Sequence, residues 1–199
     1  MKTLDGTLSA LDVIFARRSV RSYTPDTIQQ STVRALLDAA VQAPTALFTK
    51  QLAFVVVQNG QTRRRLSDLT KAWWRDEVRT NRHRYLDVSK DVLHQFSDPD
   101  FDVFHGATTL IVICDRHGDA FGAADCWLAA ENLMLAASAL GLGSRCIGAA
   151  VPALNSAEMR HELGLAPVVT AVAAIVIGAP KLPVEAEEEP REPDVLAWK

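Results

Sequence analysis

Apolar residues along this chain fall into two rhythms. Val33, Leu36, Leu37 and Ala40 recur three and four apart, the spacing of one face of a helix. That spacing predicts a helix over 31–42, capped by Ser31 or Thr32 and stopped by Pro44. Leu11, Val13, Ile14 and Phe15 mark a shorter helix over 9–16. The second rhythm is short and unbroken. Phe54-Val55-Val56-Val57 is a short β-branched run that suits a strand, and TTLIVIC at 108–114 and VVTAVAAIVI at 168–177 read as buried strands. Asn59-Gly60 is a turn signal after the first of them. Mixed charge over 61–79 suits a helix, 83–104 is polar and irregular, and 155–163 reads as a short helix. Strands separated by helices imply an α/β or α+β domain with both sheet faces covered.

The stretch 123–140 is a long alanine-rich helix. Leu128, Leu133, Met134, Leu135 and Leu140 are spread around it, and Asp125, Glu131 and Asn132 are the main polar exceptions. A helix apolar all round is buried all round, in the core of its own chain or against a partner. Gly141-Leu142-Gly143 ends it. From Lys181 the composition turns acidic and proline-rich, too polar for a core of its own, yet it closes on Val195, Leu196 and Trp198. This divides the chain into one domain over 1–180 and an arm over 181–199 with an apolar anchor.

Composition narrows the options. The chain has 199 residues, 48% hydrophobic, and a net charge of −3. That is enough for a substantial single core, and the acidic balance argues against nucleic acid as a partner. No apolar run reaches the ~18 residues of a membrane span. The first residues lack the apolar segment of a signal peptide. Cys114, Cys126 and Cys146 stand in apolar contexts without CxxC spacing. They read as reduced, buried thiols of a cytoplasmic protein. The five histidines form no ligand pattern with them, so no metal site is expected.

Against that acidic background, Arg17, Arg18 and Arg21 crowd around Ser19 and Val20. Guanidinium forks suit phosphate oxygens. Cations also gather at helix C-termini with no ligand at all, and the cluster alone leaves both readings open.

Taken together, the motifs resemble the nitroreductase family of flavin enzymes. RRSVRSY at 17–23 is similar to the family's RRSxRxF. Ala43-Pro44-Thr45-Ala46 resembles its APS turn, GLGSRCIG at 141–148 its GLGSxxIG, Ile177-Gly178-Ala179-Pro180 its IGxP, and Arg191-Glu192-Pro193 with Trp198 its R-x-P…W ending. The resemblance covers nearly the whole chain. It implies an α+β fold, a three-layer α/β/α sandwich with a mixed, mostly antiparallel sheet. It implies a homodimer that exchanges its C-terminal arms and binds FMN at the interface.

The resemblance also implies roles. Arg17, Arg18, Ser19 and Arg191 would meet the phosphate and ribityl chain. Arg21 would stand at the pyrimidine edge of the ring. Pro44, Thr45 and Ala46 would line the ring from the other subunit, and Cys146, Ile147 and Gly148 would run alongside it. NAD(P)H would donate hydride and a small electron-poor acceptor, a nitroaromatic or quinone, would take it. No catalytic side chain is required, because the cofactor carries the chemistry.

One stretch departs from the family pattern. Where the family has Asn, Gln, Pro and Trp, this chain has Phe48, Lys50, Gln51 and Leu52. Phe48 either touches the ring or packs under the turn, and Lys50 could supply a second cation. The departure leaves open other flavin chemistry, such as dehalogenation or oxygen-dependent flavin fragmentation, and a non-catalytic flavin-binding protein. Trp73 or Trp74, Tyr85, Phe101 and Phe104 are candidates for an aromatic wall, with plain core packing as the alternative. Arg63, Arg64 and Arg65 read as a solvated helix face.

Overall fold

The structure, a computed structural model, describes residues 9–46, 52–81, 90–118, 120–182 and 192–199. Four strands form one sheet in the order β1-β2-β4-β3. They are β1 (Leu52–Val57), β2 (Thr109–Asp115), β3 (Gly143–Cys146) and β4 (Thr170–Gly178). All three ladders are antiparallel. The mixed sheet expected from the resemblance is thus corrected among the described strands: the parallel contact is a single bridge, Ser19 to Ser144. Every residue of β2 is buried, as its unbroken apolar run requires.

The two sheet faces carry separate cores. On one side α2 (Gln30–Ala40) and α5 (Gly122–Ala139) pack together, with Leu36, Ala40, Leu133 and Ala137 fully buried. On the other, α3 (Gly60–Thr80), α6 (Val151–Leu154) and α7 (Ala157–Glu162) cover Leu110, Val112 and Val176. This is an α+β sandwich with helices on both faces. α1 (Ala10–Ala16) precedes it, and α4 (Lys90–Ser97) lies within the stretch read from sequence as irregular.

Local chemistry explains several boundaries. Ser9 and Asp12 form a reciprocal capping box on α1. Asn59 is the cap of α3 and not a plain turn residue: its Oδ1 accepts from the Gln61 and Thr62 N–H groups. α2 begins one residue earlier than predicted, at Gln30. Gln29 makes no side-chain cap, so neither Ser31 nor Thr32 plays that part. β3 and α6 escaped the sequence reading because each has only four residues, too few to show a period. Gly141 ends α5 with φ 73°, a left-handed turn suited to glycine, whereas Gly143 already belongs to β3.

The expectation for α5 is met on one side only. Cys126, Ala129, Ala130 and Leu133 are fully buried, but Trp127 and Leu128 are 44% and 46% exposed. Leu11 and Phe15 on α1 are exposed too, and α1 packs on α5. Residues 192–199 form neither helix nor strand, and Leu196 and Trp198 are almost wholly exposed.

Candidate functional site

The segment after α1 runs along the free edge of β3. The Val20 N–H donates to the Ser144 carbonyl at 3.1 Å and the Thr24 N–H to the Ala179 carbonyl at 2.9 Å. The Lys181 N–H returns a bond to the Ser22 carbonyl at 3.1 Å. Val20 and Tyr23 are the buried anchors, with the Tyr23 hydroxyl donating to the Val20 carbonyl. Two glycines make the approach possible. A Cβ on Gly143 would lie 2.7 Å from Val20, and one on Gly178 would lie 2.8 Å from Tyr23. Backbone therefore brings Arg17, Arg18, Ser19 and Arg21 against the strand that leads into Cys146, Ile147 and Gly148.

Within this edge the cations are only partly neutralised. Arg17 Nε is 3.6 Å from the Glu131 carboxylate, a half-exposed partner. Arg18 folds back on α1, its Nη1 donating to the Phe15 and Arg17 carbonyls at 2.7 and 2.8 Å. That is the helix-end role, and it leaves Arg18 Nε buried and unpaired among the described residues. Ser144 Oγ and Arg145 Nη1 are likewise buried without a partner. Arg21 is exposed, with a long 3.5 Å contact from Nη1 to the Ser19 carbonyl.

Beyond β3, the Ile147 N–H donates to the Ala174 carbonyl at 2.8 Å, and Gly148 opens a tight turn with free space around its α-carbon. Trp74 Nε1 donates to the Ala149 carbonyl at 2.9 Å. The Cys146 thiol is half-buried, and burial pushes its pKa up, which disfavours the thiolate. Burial does the same to Cys114 and Cys126, which reach about 11 and about 12.

Pro44, Thr45 and Ala46 are held from elsewhere. The Ala46 N–H donates to both oxygens of Asp125, a buried carboxylate on α5, at 3.2 and 3.3 Å. This leaves Pro44 and Ala46 exposed beside the apolar surface of α5. Phe48, Lys50 and Arg191 lie outside the described residues, as does Tyr85.

Of the aromatic candidates, Phe104 is fully buried core and lines nothing. Trp73, Trp74, Phe96, Phe101 and His105 instead form a chain of ring contacts, with centroids 5.1 to 6.0 Å apart. The inner end of this chain, with Arg145 and the 146–149 backbone, lines a cavity of about 270 Å³. His105 and Arg145 were missed from sequence. Arg145 sits at a position that the GLGSxxIG pattern leaves free, and a charge inside a short strand was the available signal.

An α+β sandwich with a two-residue-type edge, arginine on one side and glycine on the other, is a class of fold with relatives. This chain belongs to the nitroreductase family, whose model matches residues 14–179. A protein of Methanothermobacter thermautotrophicus is 28% identical over 71% of this chain and 63% of its own length. The Bacillus subtilis FMN reductase [NAD(P)H] is 27% identical over 82% of this chain and 62% of its own. The matched part thus spans less than two thirds of either relative. Among solved structures, a Bacteroides fragilis nitroreductase with bound FMN superposes with a TM-score of 0.79 at 22% identity, covering 96% of this chain and 99% of that one. A Desulfitobacterium hafniense nitroreductase with bound FMN gives 0.73 at 21%, covering 93% and 94%. These likenesses establish the fold.

The residues fit such a cofactor. Arg18 Nε and Ser144 Oγ, buried and without partners among the described residues, lie where the arginine segment meets β3, while Arg145 Nη1, also without one, is carried to the opposite face of the strand. An unfilled hydrogen-bond donor in a buried setting is costly unless something accepts from it. Gly148 leaves backbone open to a flat ring.

Proposed function

We propose that this protein is an FMN-dependent oxidoreductase that passes reducing equivalents from NAD(P)H to an electron-poor acceptor such as a nitroaromatic or quinone. The observation that carries this is the edge of β3, where Arg18 Nε and Ser144 Oγ, buried and without partners among the described residues, adjoin an arginine segment and a glycine-opened turn. Bound FMN would supply the hydride-accepting ring. The chain's own residues would do the rest. Arg17, Ser19 and Arg191 would hold the phosphate end. Arg18 would contribute Nε, because its Nη1 closes the end of α1. Arg21 would face the ring's pyrimidine edge. The 146–148 backbone would lie along the ring and keep water from one face.

The working unit in this reading is a homodimer. The exposed Leu11, Phe15, Trp127 and Leu128 make a continuous reason for association. Pro44, Thr45 and Ala46, held at the end of α5, would reach the partner's ring. The arm with Leu196 and Trp198 would cross to the partner. Among the described residues no helix is long and apolar enough to cross a membrane.

One experiment tests the core of this. Purified protein, reconstituted with FMN and desalted, should keep a flavin absorbance that bleaches when NADH or NADPH is added without oxygen. Protein that emerges colourless refutes the cofactor. Protein that stays yellow with both donors refutes the reaction and favours a flavin-binding role or other flavin chemistry.

A further inference from the structure

Neighbours in β3 take opposite sides of the sheet. Ser144 pairs in register with Ile177, which belongs to the core on the α2–α5 side, and Arg145 with Val176, which belongs to the core on the α3 side. Paired residues share a face, so Arg145 is carried to the α3 side. There it lines the cavity of about 270 Å³ with Phe96, Phe101, His105 and the 146–149 backbone. The guanidinium is half-buried, its Nη1 has no partner, and no ion pair reaches it among the described residues. Burial makes that charge unfavourable, and the like charge of Arg21, which does not line the cavity, adds to the cost. None of the described lining residues is a carboxylate. Asp102 is near enough to act on His105, but its two oxygens accept from the Phe104 and Gly106 N–H groups. His105 is neutral at pH 7, because burial first and the charge of Arg145 second lower its pKa to about 4. It offers the cavity a ring N–H without a second cation.

A half-buried cation without a counter-charge favours an anionic ligand. The rest of the wall sets its kind. Phe96 and Phe101 meet edge to face with centroids 6.0 Å apart, and Phe101 meets His105 in the same way at 5.8 Å. Such rings suit a flat aromatic body. Small-molecule sites run to about 300–1,000 Å³, so this smaller cavity takes one ring with its substituents and no dinucleotide. One guanidinium matches one carboxylate, fork to fork. We infer that the cavity binds a one-ring aromatic carboxylate, its carboxylate on Arg145 and its ring against Phe96 and Phe101, and that the electron acceptor is of this class. The binding site stands on the cavity alone. Its use for the acceptor rests on the proposed function, since the 146–149 backbone that walls the cavity includes the strip given above to the flavin. For a nitro acceptor, one NAD(P)H, one proton and the nitro compound give NAD(P)+, the nitroso compound and water.

The test uses the FMN-loaded protein, with benzoate and its neutral counterpart benzamide as unreactive probes. Calorimetry should show benzoate bound at least tenfold more tightly than benzamide. Arg145→Gln should bring the two within twofold of each other, and Arg145→Lys, which keeps the charge and loses the fork, should lie between. In turnover with NADH or NADPH, the preference for 4-nitrobenzoate over 4-nitrobenzamide in kcat/KM should fall at least tenfold in Arg145→Gln, with the change in KM. Benzoate and benzamide bound alike by wild type, or a benzoate preference that survives in Arg145→Gln, would overturn the site. So would benzoate that binds FMN-free protein and is displaced as FMN is added, which would give the cavity to the cofactor. A benzoate preference that depends on Arg145, with no preference between the two nitro compounds, would overturn the acceptor assignment alone. Wild-type protein that takes up no FMN would overturn the function beneath it, while its choice between benzoate and benzamide would still decide the cavity.

Discussion

Arg17, Arg18 and Arg21 run beside β3, and Arg63, Arg64 and Arg65 open α3, so the chain carries two arginine triplets of equal charge. They differ in what surrounds them. Arg65 Nε lies 2.9 Å from Glu158 and its Nη1 3.0 Å from Glu162, and those carboxylates raise its pKa. Arg63 is half-buried, and its Nη1 is without a partner among the described residues, but the Asp102 charge opposes its burial. The first triplet has one loose ion pair, at Arg17, and a guanidinium borrowed to close a helix. Equal charge in sequence is unequal demand for a ligand in space. The triplet with the single, long carboxylate contact is the one that calls for an anion.

The largest blow to this contrast comes from moving the first triplet off its strand. Gly143→Ala would set a methyl 2.7 Å from Val20 Cγ2 and 2.9 Å from its Cβ. Overpacking of this kind costs about 1–3 kcal/mol, about 2–10 °C in Tm for a chain of this size. FMN affinity should drop with it, because Val20 carries the arginines. A Gly143→Ala protein with unchanged Tm and FMN affinity would mean that the edge contact does not position the site.

Next in size is the phosphate end. Arg17→Ala removes a guanidinium whose existing partner, Glu131, is half-exposed, so stability should barely change. FMN Kd should rise about tenfold, the scale of one charge-assisted phosphate contact. Fluorescence titration with FMN reads it directly. An unchanged Kd would put the phosphate elsewhere.

A pH experiment probes the neutral group in the cavity. His105 titrates near 6.5 in the unfolded chain and near 4 in the fold, lowered mainly by burial and then by Arg145. Between those values the unfolded state binds more protons, so stability rises with pH. His105 therefore contributes a loss as pH falls from about 6.5 towards 4. His105 has φ 55°, a conformation that asparagine tolerates well. His105→Asn should keep the backbone and flatten the urea-midpoint profile between pH 4 and 6.5. A profile as steep as wild type would assign the slope to carboxylates.

How much of this was readable beforehand depends on length and periodicity. β2, β4, α2 and α5 are all placed within two residues, because a long pattern averages out single exceptions. β3 carries no pattern in four residues; it exists because Val20 and Ile175 supply partners on both sides. The arginine segment was legible as a cluster and as a motif, but not the diversion of Arg18 to the end of α1. The end of α1 at Ala16 was read correctly, but which arginine turns back to it depends on side-chain geometry. Arg145 and His105 were illegible for a related reason. One owes its setting to strand register, with only its charge in a short strand as a signal, and the other to a left-handed backbone turn.

The smallest expected effect is the sharpest check on the comparison. Arg65→Ala breaks contacts to two glutamates in the second triplet, all at an exposed surface. Exposed pairs are screened and hold two long side chains in one geometry, so little stability is lost. Tm should move by less than about 3 °C, and FMN Kd should stay within twofold, since Glu158 and Glu162 already answer that charge. Calorimetry and the same fluorescence titration measure both. If Arg65→Ala weakened FMN binding as much as Arg17→Ala, charge count alone would govern the site. The presence or absence of carboxylate partners would then have no bearing on where the anion goes.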